Sequence, residues 1–482
     1  MNFKKYLVFF LAVIMLVSVV SCRNNNEPEQ NSGPPTSDSI VPPSTEDRGK
    51  LDDPHKTYGG TEINVYAWQG YSTEFITNEE EAYINQTSQA VWERDLFVQE
   101  KLDVTLNYFI AEFDHDAFMN ILEASVLAGD ALYDFVIQYN RNAGAGTLRG
   151  LYLNLKTNNE ICLEEDYWAP TLTERVSLGD RVYFATGDIM TTTISNTYCV
   201  HYNKDILTDR GLEDPYDLVQ NNQWTWEKVF EMTRDTYIDT GDAADGFDDT
   251  YGIVFCQNGV VDAMYVSAGL KYLEKNEAGR YSISDDFRSD KAATFVSYLR
   301  DQFEKDENFI APTFDWVAYP HGRSLFSVYT AGAVGTIAQG GVVKRYGVAP
   351  LPKYDTQQDR YYANLANNYK IVSIPFDCPN FEAAGAVMEF MAVYSKQYVS
   401  PAIFEQGFQF KYSESPEDAY MFELIRASSA FDPGLIYVDA FQYAFARSVR
   451  GMNEWGSHSL QVAESTEALL IPIMDDLSGL KH

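Results

Sequence analysis

Two short stretches of the chain set aromatic rings beside neutral amides. Trp68, Gln69, Gly70 and Tyr71 form one, and Gln138, Tyr139, Asn140 and Asn142 the other. Rings beside carboxamides suit a polyhydroxylated ligand: its C–H face stacks on a ring while its hydroxyls pair with neutral donors and acceptors. A chance grouping of polar loop residues is the alternative. Chemistry of other kinds is thinly represented. The histidines, His55, His115, His201, His321, His458 and His482, are dispersed, with no His-x-x-x-His pair to hold a metal. Neither a Walker-type phosphate loop nor a Gly-x-Ser-x-Gly elbow occurs, and no cofactor is implied. Glu164-Glu165 could serve glycoside hydrolysis, but that reaction needs two carboxylates at a set separation across a bond. Among 70 acidic residues, adjacent pairs arise by chance. Asp239, Asp242, Asp245, Asp248 and Asp249 crowd a stretch around Gly246, yet Gly241 and Ala243 occupy expected calcium-ligand positions. A solvated acidic turn is expected there rather than a calcium loop.

The elements that must position these residues show in the hydrophobic periodicity. Ile63, Val65 and Ala67 alternate on one face of a short strand. A helical stretch follows with Val91, Val98 and Leu102 on one side, then a strand through Val104, Leu106 and Tyr108. Phe118, Ile121 and Leu122 keep helical spacing up to a stop at Gly129-Asp130. Phe135, Val136 and Ile137 form a continuous apolar run, as in a buried parallel strand. Strand–helix–strand–helix–strand is the pattern of a doubly wound α/β domain. Ligands of such sheets lie outside the carboxyl ends of the strands, which is where both ring-and-amide stretches fall. Ala143-Gly144-Ala145-Gly146 reads as a flexible segment after the third strand.

The first sixty residues supply an address. Lys4 and Lys5 precede an apolar run from Tyr6 to Val20, too short for a comfortable bilayer span and laid out as a secretory leader. It ends in Val19-Val20-Ser21-Cys22, which resembles the lipobox of bacterial lipoproteins and implies acylation of Cys22 and anchoring at a membrane. Residues 23–60, rich in Pro, Ser, Asn and acidic residues, read as a disordered tether. At 482 residues the chain is long enough for more than one domain. Its formal net charge of −34 excludes nucleic acid as a partner, since phosphate would be repelled. Cys162, Cys199, Cys256 and Cys378 lack metal-ligand spacing and read as buried thiols.

From residue 129 onward several segments resemble the extracellular solute-binding proteins of ABC transporters, of the family 1 type. Gly129-Asp130-Ala131-Leu132-Tyr133-Asp134 is similar to that family's lead into the third strand, and Tyr202-Asn203-Lys204-Asp205 to its "YNKD" segment. Trp224-Thr225-Trp226-Glu227 follows, with Thr225 a candidate N-cap and Trp226 structural. Gly322-Arg323-Ser324-Leu325-Phe326 and Gly347-Val348-Ala349-Pro350-Leu351-Pro352-Lys353 complete the series. Ala331-Gly332-Ala333-Val334 lacks the Trp that sugar-binding members commonly carry there. The resemblance implies an α/β, two-lobed periplasmic-binding-protein type II-like fold with hinge crossovers and a ligand cleft between the lobes. After the leader at 1–22 and the tether at 23–60, one lobe takes 61–190 plus 368–427, and the other 191–367 plus 428–482. Crossings are expected at Gly187–Tyr198, Tyr362–Tyr369 and residues 426–434. They bring Asp188, Asn196, Tyr198, Asn364, Asn367 and Tyr369 to the hinge, and Trp455 to the returning segment of the second lobe.

Expected ligand contacts are thus Trp68, Gln69, Tyr71, Gln138, Tyr139, Asn140, Asp188, Asn196, Tyr198, Asn364, Asn367 and Trp455. No charged anchor stands out at the strand ends, which favours a neutral ligand. The implied role is a lipid-anchored, extracytoplasmic protein without enzymatic activity. Its implied partners are a sugar or oligosaccharide and the permease subunits of an ABC importer. A peptide or other small solute on the same fold, and a secreted glycoside-active enzyme, are the alternatives.

Overall fold

Alternating apolar side chains place Ile63, Val65 and Ala67 on a fully buried face of β1 (Thr61–Trp68). In this computed structural model the described residues are 56–69, 74–76, 78–111, 114–240, 249–255, 258–277, 279–305, 319–334, 337, 342–404, 416–469 and 471–475. Cys22 with the leader, Tyr71, Cys256 and most of the acidic stretch lie outside them. Helix α1 (Gln86–Leu102) begins where the Asn85 side chain accepts the Ser88 amide at 2.8 Å, and it buries Val91, Val98 and Leu102. After β2 (Val104–Ala111), Asp114 caps α2 (His115–Ala128) by accepting the amides of Asp116 and Ala117. Gly129 ends α2 in the left-handed conformation at φ 71°, the stop its sequence position suggests. Phe118 and Leu122 are buried as expected, whereas Ile121 is exposed. Strand β3 (Phe135–Tyr139) is buried throughout and leads directly into α3 (Asn140–Leu148).

Residues 143–146, read as flexible, belong to α3. Their glycines serve close packing: a Cβ on Gly144 would lie 2.2 Å from the Ile436 carbonyl oxygen, and one on Gly146 2.5 Å from the Tyr152 hydroxyl. Helix α4 (Pro170–Val176) follows, and a helical turn at Thr191–Ser195 ends the first passage of the chain.

The second sheet is built from β4 (Tyr198–Asn203), β5 (Tyr251–Phe255), β8 (Ser324–Thr330) and β9 (Tyr346–Pro350), with α5 (Asn258–Ser267) after β5 and a hairpin of β6 (Leu273–Lys275) and β7 (Tyr281–Ile283). Thr225 caps its helix by accepting the Lys228 amide at 3.2 Å, and the buried Trp226 indole donates to Ser267 Oγ at 2.8 Å. Strand β10 (Lys370–Ser373) returns to the first sheet. Helix α6 (Phe381–Tyr394) packs on α1, α7 (Pro416–Ala427) on β9, and α8 (Ala444–Val449) on α5, while α9 (Trp455–Leu469) lies by the hairpin.

Among the described residues the strands form two four-stranded sheets, ordered β10-β3-β1-β2 and β5-β8-β4-β9, plus the hairpin. In the first, β2, β1 and β3 are parallel and β10 is antiparallel, so the carboxyl ends of β1 and β3 lie beside the start of β10. No described helix is long and apolar enough to cross a membrane.

The chain passes between sheets through segments that pair with one another. Thr197 bridges Leu365, and Ala363 bridges Ser429. The Tyr198 amide donates to the Asn364 carbonyl at 3.2 Å, the Ala430 amide to the Ala363 carbonyl at 2.8 Å, and Thr197 Oγ1 lies 3.0 Å from Ser429 Oγ. Two segments make contacts that cross the lobe boundaries expected from the sequence. Thr191 and Thr192, expected in the second lobe, bind the buried Glu74 carboxylate of the first through their amides at 2.6 and 3.0 Å. Residues 416–427, expected in the first, pack on β9, where Tyr420 meets Tyr216 edge-on at 6.1 Å. Their apolar side chains Met421, Phe422 and Ile425 join the core that also holds the second sheet.

Candidate functional site

The carboxyl ends of β1 and β3 gather three rings. Trp68 closes β1, Tyr139 closes β3, and His115 opens α2. The Trp68 and Tyr139 centroids are 5.4 Å apart, His115 stacks on Tyr139 at 4.8 Å, and Trp68 meets His115 edge-on at 6.5 Å. The Trp68 and Tyr139 rings come from the ends of two neighbouring parallel strands. Burial pushes the Tyr139 hydroxyl upward in pKa, against the pull of the Arg141 guanidinium. Beside the rings, Asn140 begins α3. Its side chain pairs with the Tyr369 hydroxyl, and its Oδ1 is buried without a hydrogen-bond partner. A buried acceptor left unmade at the end of a strand is a place where a ligand hydroxyl can donate.

Two cations border this cluster. Lys370, first residue of β10, reaches across the sheet end to donate to the Gln69 carbonyl at 2.8 Å, with its ammonium 5.7 Å from the Trp68 ring centre and 5.6 Å from that of Phe75. Burial lowers its pKa to about 8, opposed by the nearby Glu74 carboxylate. Arg141 donates to Gln442 Oε1 and to Asp439 Oδ1, which come from the segment leading into α8. That segment therefore faces the first sheet's strand ends, and Tyr443 within it acts electrostatically on Tyr139. The expectation that no charged group stands at the strand ends is thus corrected, and both cations are engaged by protein groups.

The expected contacts separate by location. Trp68, Gln69, Tyr139 and Asn140 come together as described. Gln138 is taken up by protein groups inside the lobe, donating to Ser373 Oγ at 2.9 Å and accepting from the Tyr152 hydroxyl at 2.7 Å. Asp188 is buried, accepting from Ser400 Oγ at 2.6 Å and pairing with Arg426 at 3.3 Å; it anchors helices behind the hinge. Asn196 joins the crossings, its amide nitrogen donating to Asn368 Oδ1 at 2.9 Å and its carbonyl accepting from Ala366 at 2.7 Å. Tyr198 is buried at the start of β4, its hydroxyl close enough to Gly259 that a Cβ there would lie 3.0 Å away. Asn364 keeps a buried Oδ1 without a hydrogen-bond partner in the second crossing, and Asn367 is half-buried in the turn into β10.

Trp455 is not at the strand ends. It opens α9 and packs into rings from Phe287 at 5.2 Å, Phe445 at 5.9 Å and Tyr265 at 6.3 Å. Tyr71 falls outside the described residues.

His115, Arg141, Lys370, Gln442 and Tyr443 were not read from the sequence as site residues. Arg141 follows Asn140 and Lys370 follows Tyr369, so strand-end position was a usable signal for both. Nothing local marks Gln442 or Tyr443, whose place depends on a partner some 300 residues away. Among the described residues no His, Cys, Asp and Glu group could hold a metal. Cys199 and Cys378 are free thiols.

The fold is that of the two-lobed solute-binding proteins of ABC transporters. The chain is similar over most of its length to a cyclic α-maltosyl-1,6-maltose binding protein from Arthrobacter globiformis, at 15% identity and a TM-score of 0.56, covering 86% of this chain and 100% of that one. It is likewise similar to an ABC substrate-binding protein from Listeria monocytogenes solved with cycloalternan, at 13% identity and 0.54, covering 88% and 100%. A third is the galacto-N-biose and lacto-N-biose I-binding protein from Bifidobacterium longum, at 12% identity and 0.55, covering 87% and 99%. No protein-family model and no curated protein matches the chain.

Proposed function

We propose that this chain is a lipid-anchored, extracytoplasmic solute-binding protein. It captures a neutral sugar or oligosaccharide and passes it, unaltered, to the permease of an ABC importer. The observation that carries this reading is the Trp68–His115–Tyr139 ring cluster beside the unpaired Asn140 oxygen, at strand ends where ligands of such sheets lie. The similar structures that bind maltosyl, cycloalternan and lacto-N-biose ligands favour a carbohydrate over a peptide. Their being binding proteins favours capture over catalysis. The lobes divide at the paired crossings near residues 196–198, 363–366 and 428–430, and the leader-and-Cys22 pattern supports the anchor.

A thermal-shift and calorimetric screen of the processed protein against maltotriose, cycloalternan and lacto-N-biose tests it. A ligand at about 100 times its Kd should stabilise the fold by about 2.7 kcal/mol, and the sugar should be recovered intact. Absence of any shift across mono- and oligosaccharides would remove the carbohydrate assignment, and appearance of product would make the protein an enzyme. Metabolic labelling with a palmitate analogue should mark the wild type and not Cys22→Ala.

A further inference from the structure

We propose that Asp262 is the positioning residue for the second lobe's half of the site: by holding the Tyr443 and Ala446 amides it sets Gln442 and Tyr443 against Arg141 and Tyr139, so that capture depends on its carboxylate. The assignment of that half-site rests on the ligand-binding reading above. Helix α8 has no cap of its own, because the side chain of Tyr443 at its N-cap position makes no capping bond. Asp262, reaching from α5, supplies one. Its Oδ2 accepts the Tyr443 amide at 2.5 Å and its Oδ1 the Ala446 amide at 2.9 Å. Between those two bonds the backbone of Tyr443 is left-handed, at φ 60°. A tyrosine holds that conformation only where its surroundings over-determine it. The adjoining Gln442 and the nearby Asp439 are the groups that meet Arg141. One buried carboxylate therefore ties α5 to the backbone of the segment that faces the ring cluster, beside the packing of Tyr265 on Phe445 at 5.2 Å.

Both oxygens must be acceptors for this to work. A neutral acid keeps one acceptor and turns an O–H toward an amide hydrogen, so protonation releases one of the two amides. Asp262 is poised for that change: burial raises its pKa from the ordinary 3.8 to about 7, against the two amides and Arg447. The titratable groups acting with it are Arg447 on α8 and Tyr272 before β6, the latter held neutral by burial. The sign separates two properties. Because the folded pKa lies above the unfolded one, the group's contribution to global stability is fully present below about 4 and is lost as pH rises through about 7. Order in residues 442–446 runs the other way, gained as the carboxylate forms.

Hydrogen exchange of the Tyr443 and Ala446 amides in the processed protein and in Asp262→Asn, at about pH 5.5 and about pH 8.5, tests the device on either side of the titration. Protection factors in the wild type should rise by roughly tenfold with pH, the loss of one charge-assisted bond at the lower value, and stay low at both in the variant. Maltotriose affinity should follow the same pattern. A cooperative melt of the Asp262→Asn protein near pH 5.5 shows that the variant folds. A variant that keeps the wild-type pH response in exchange, or in maltotriose affinity, overturns the proposal. Exchange that behaves as expected with no maltotriose bound upholds the role of Asp262 in setting the segment and removes the carbohydrate reading instead.

Discussion

Two aromatic clusters in this chain look alike by composition and differ in what borders them. Trp68, His115 and Tyr139 sit where strands end, beside Asn140, Arg141 and Lys370. Trp455, Tyr265, Phe287 and Phe445 sit between helices, packed on the further rings of Tyr272 and Phe441, with the Tyr265 hydroxyl bonded to the Lys271 carbonyl. Ring content is the same signal in both. What sets the first cluster apart is its place at two strand ends, with the Lys370 and Arg141 cations and the Asn140 oxygen gathered beside it.

The difference can be broken by truncation. Trp455→Ala should lower stability by about 3–5 kcal/mol, as for large buried aromatics, while whatever protein remains folded binds sugar with wild-type affinity. Urea denaturation and calorimetry on the same sample check both halves. Trp68→Ala should cost somewhat less, about 3 kcal/mol, and also abolish the ligand-induced thermal shift. Trp68 is only 3% exposed, so its loss must be felt in the free protein as well. A free protein as stable as the wild type would mean that its ring is not packed as described. The smallest effect concerns Lys370, whose folded pKa near 8 lies below its ordinary 10.5. Its contribution is absent below about pH 8 and gained as pH rises from there to 10.5, because the unfolded chain then holds more protons. Lys370→Met should flatten that rise in a stability–pH profile.

Local patterns made much of the first lobe legible. Periodicity placed β1, α1, β2, α2 and β3, and the strand-end rule brought Trp68, Gln69, Tyr139 and Asn140 to one place. Neighbours in sequence part ways there: Gln138 is taken up by Ser373 and Tyr152 inside the lobe, while Tyr139 stays with the rings. Hinge polarity put Asn196 and Asn364 in the crossings without announcing which groups meet there. Asp188 finds Ser400, and Asn196 finds Asn368, partners 212 and 172 residues distant that no local signal announces. The glycines of 143–146 carried the opposite error. Small residues permit both looseness and tight approach, and only the Ile436 carbonyl against Gly144 tells which applies.

The three inter-sheet crossings lie side by side and share hydrogen bonds, Thr197 with Ser429 and Ala363 with both Ser428 and Ala430. Such a braid behaves as a torsion spring rather than a pin: rotation of one lobe must be spread over many small backbone turns in all three cords together. Loosening a single cord would therefore soften the motion without uncoupling it, and the resting angle would be a property of the bundle and of no one residue.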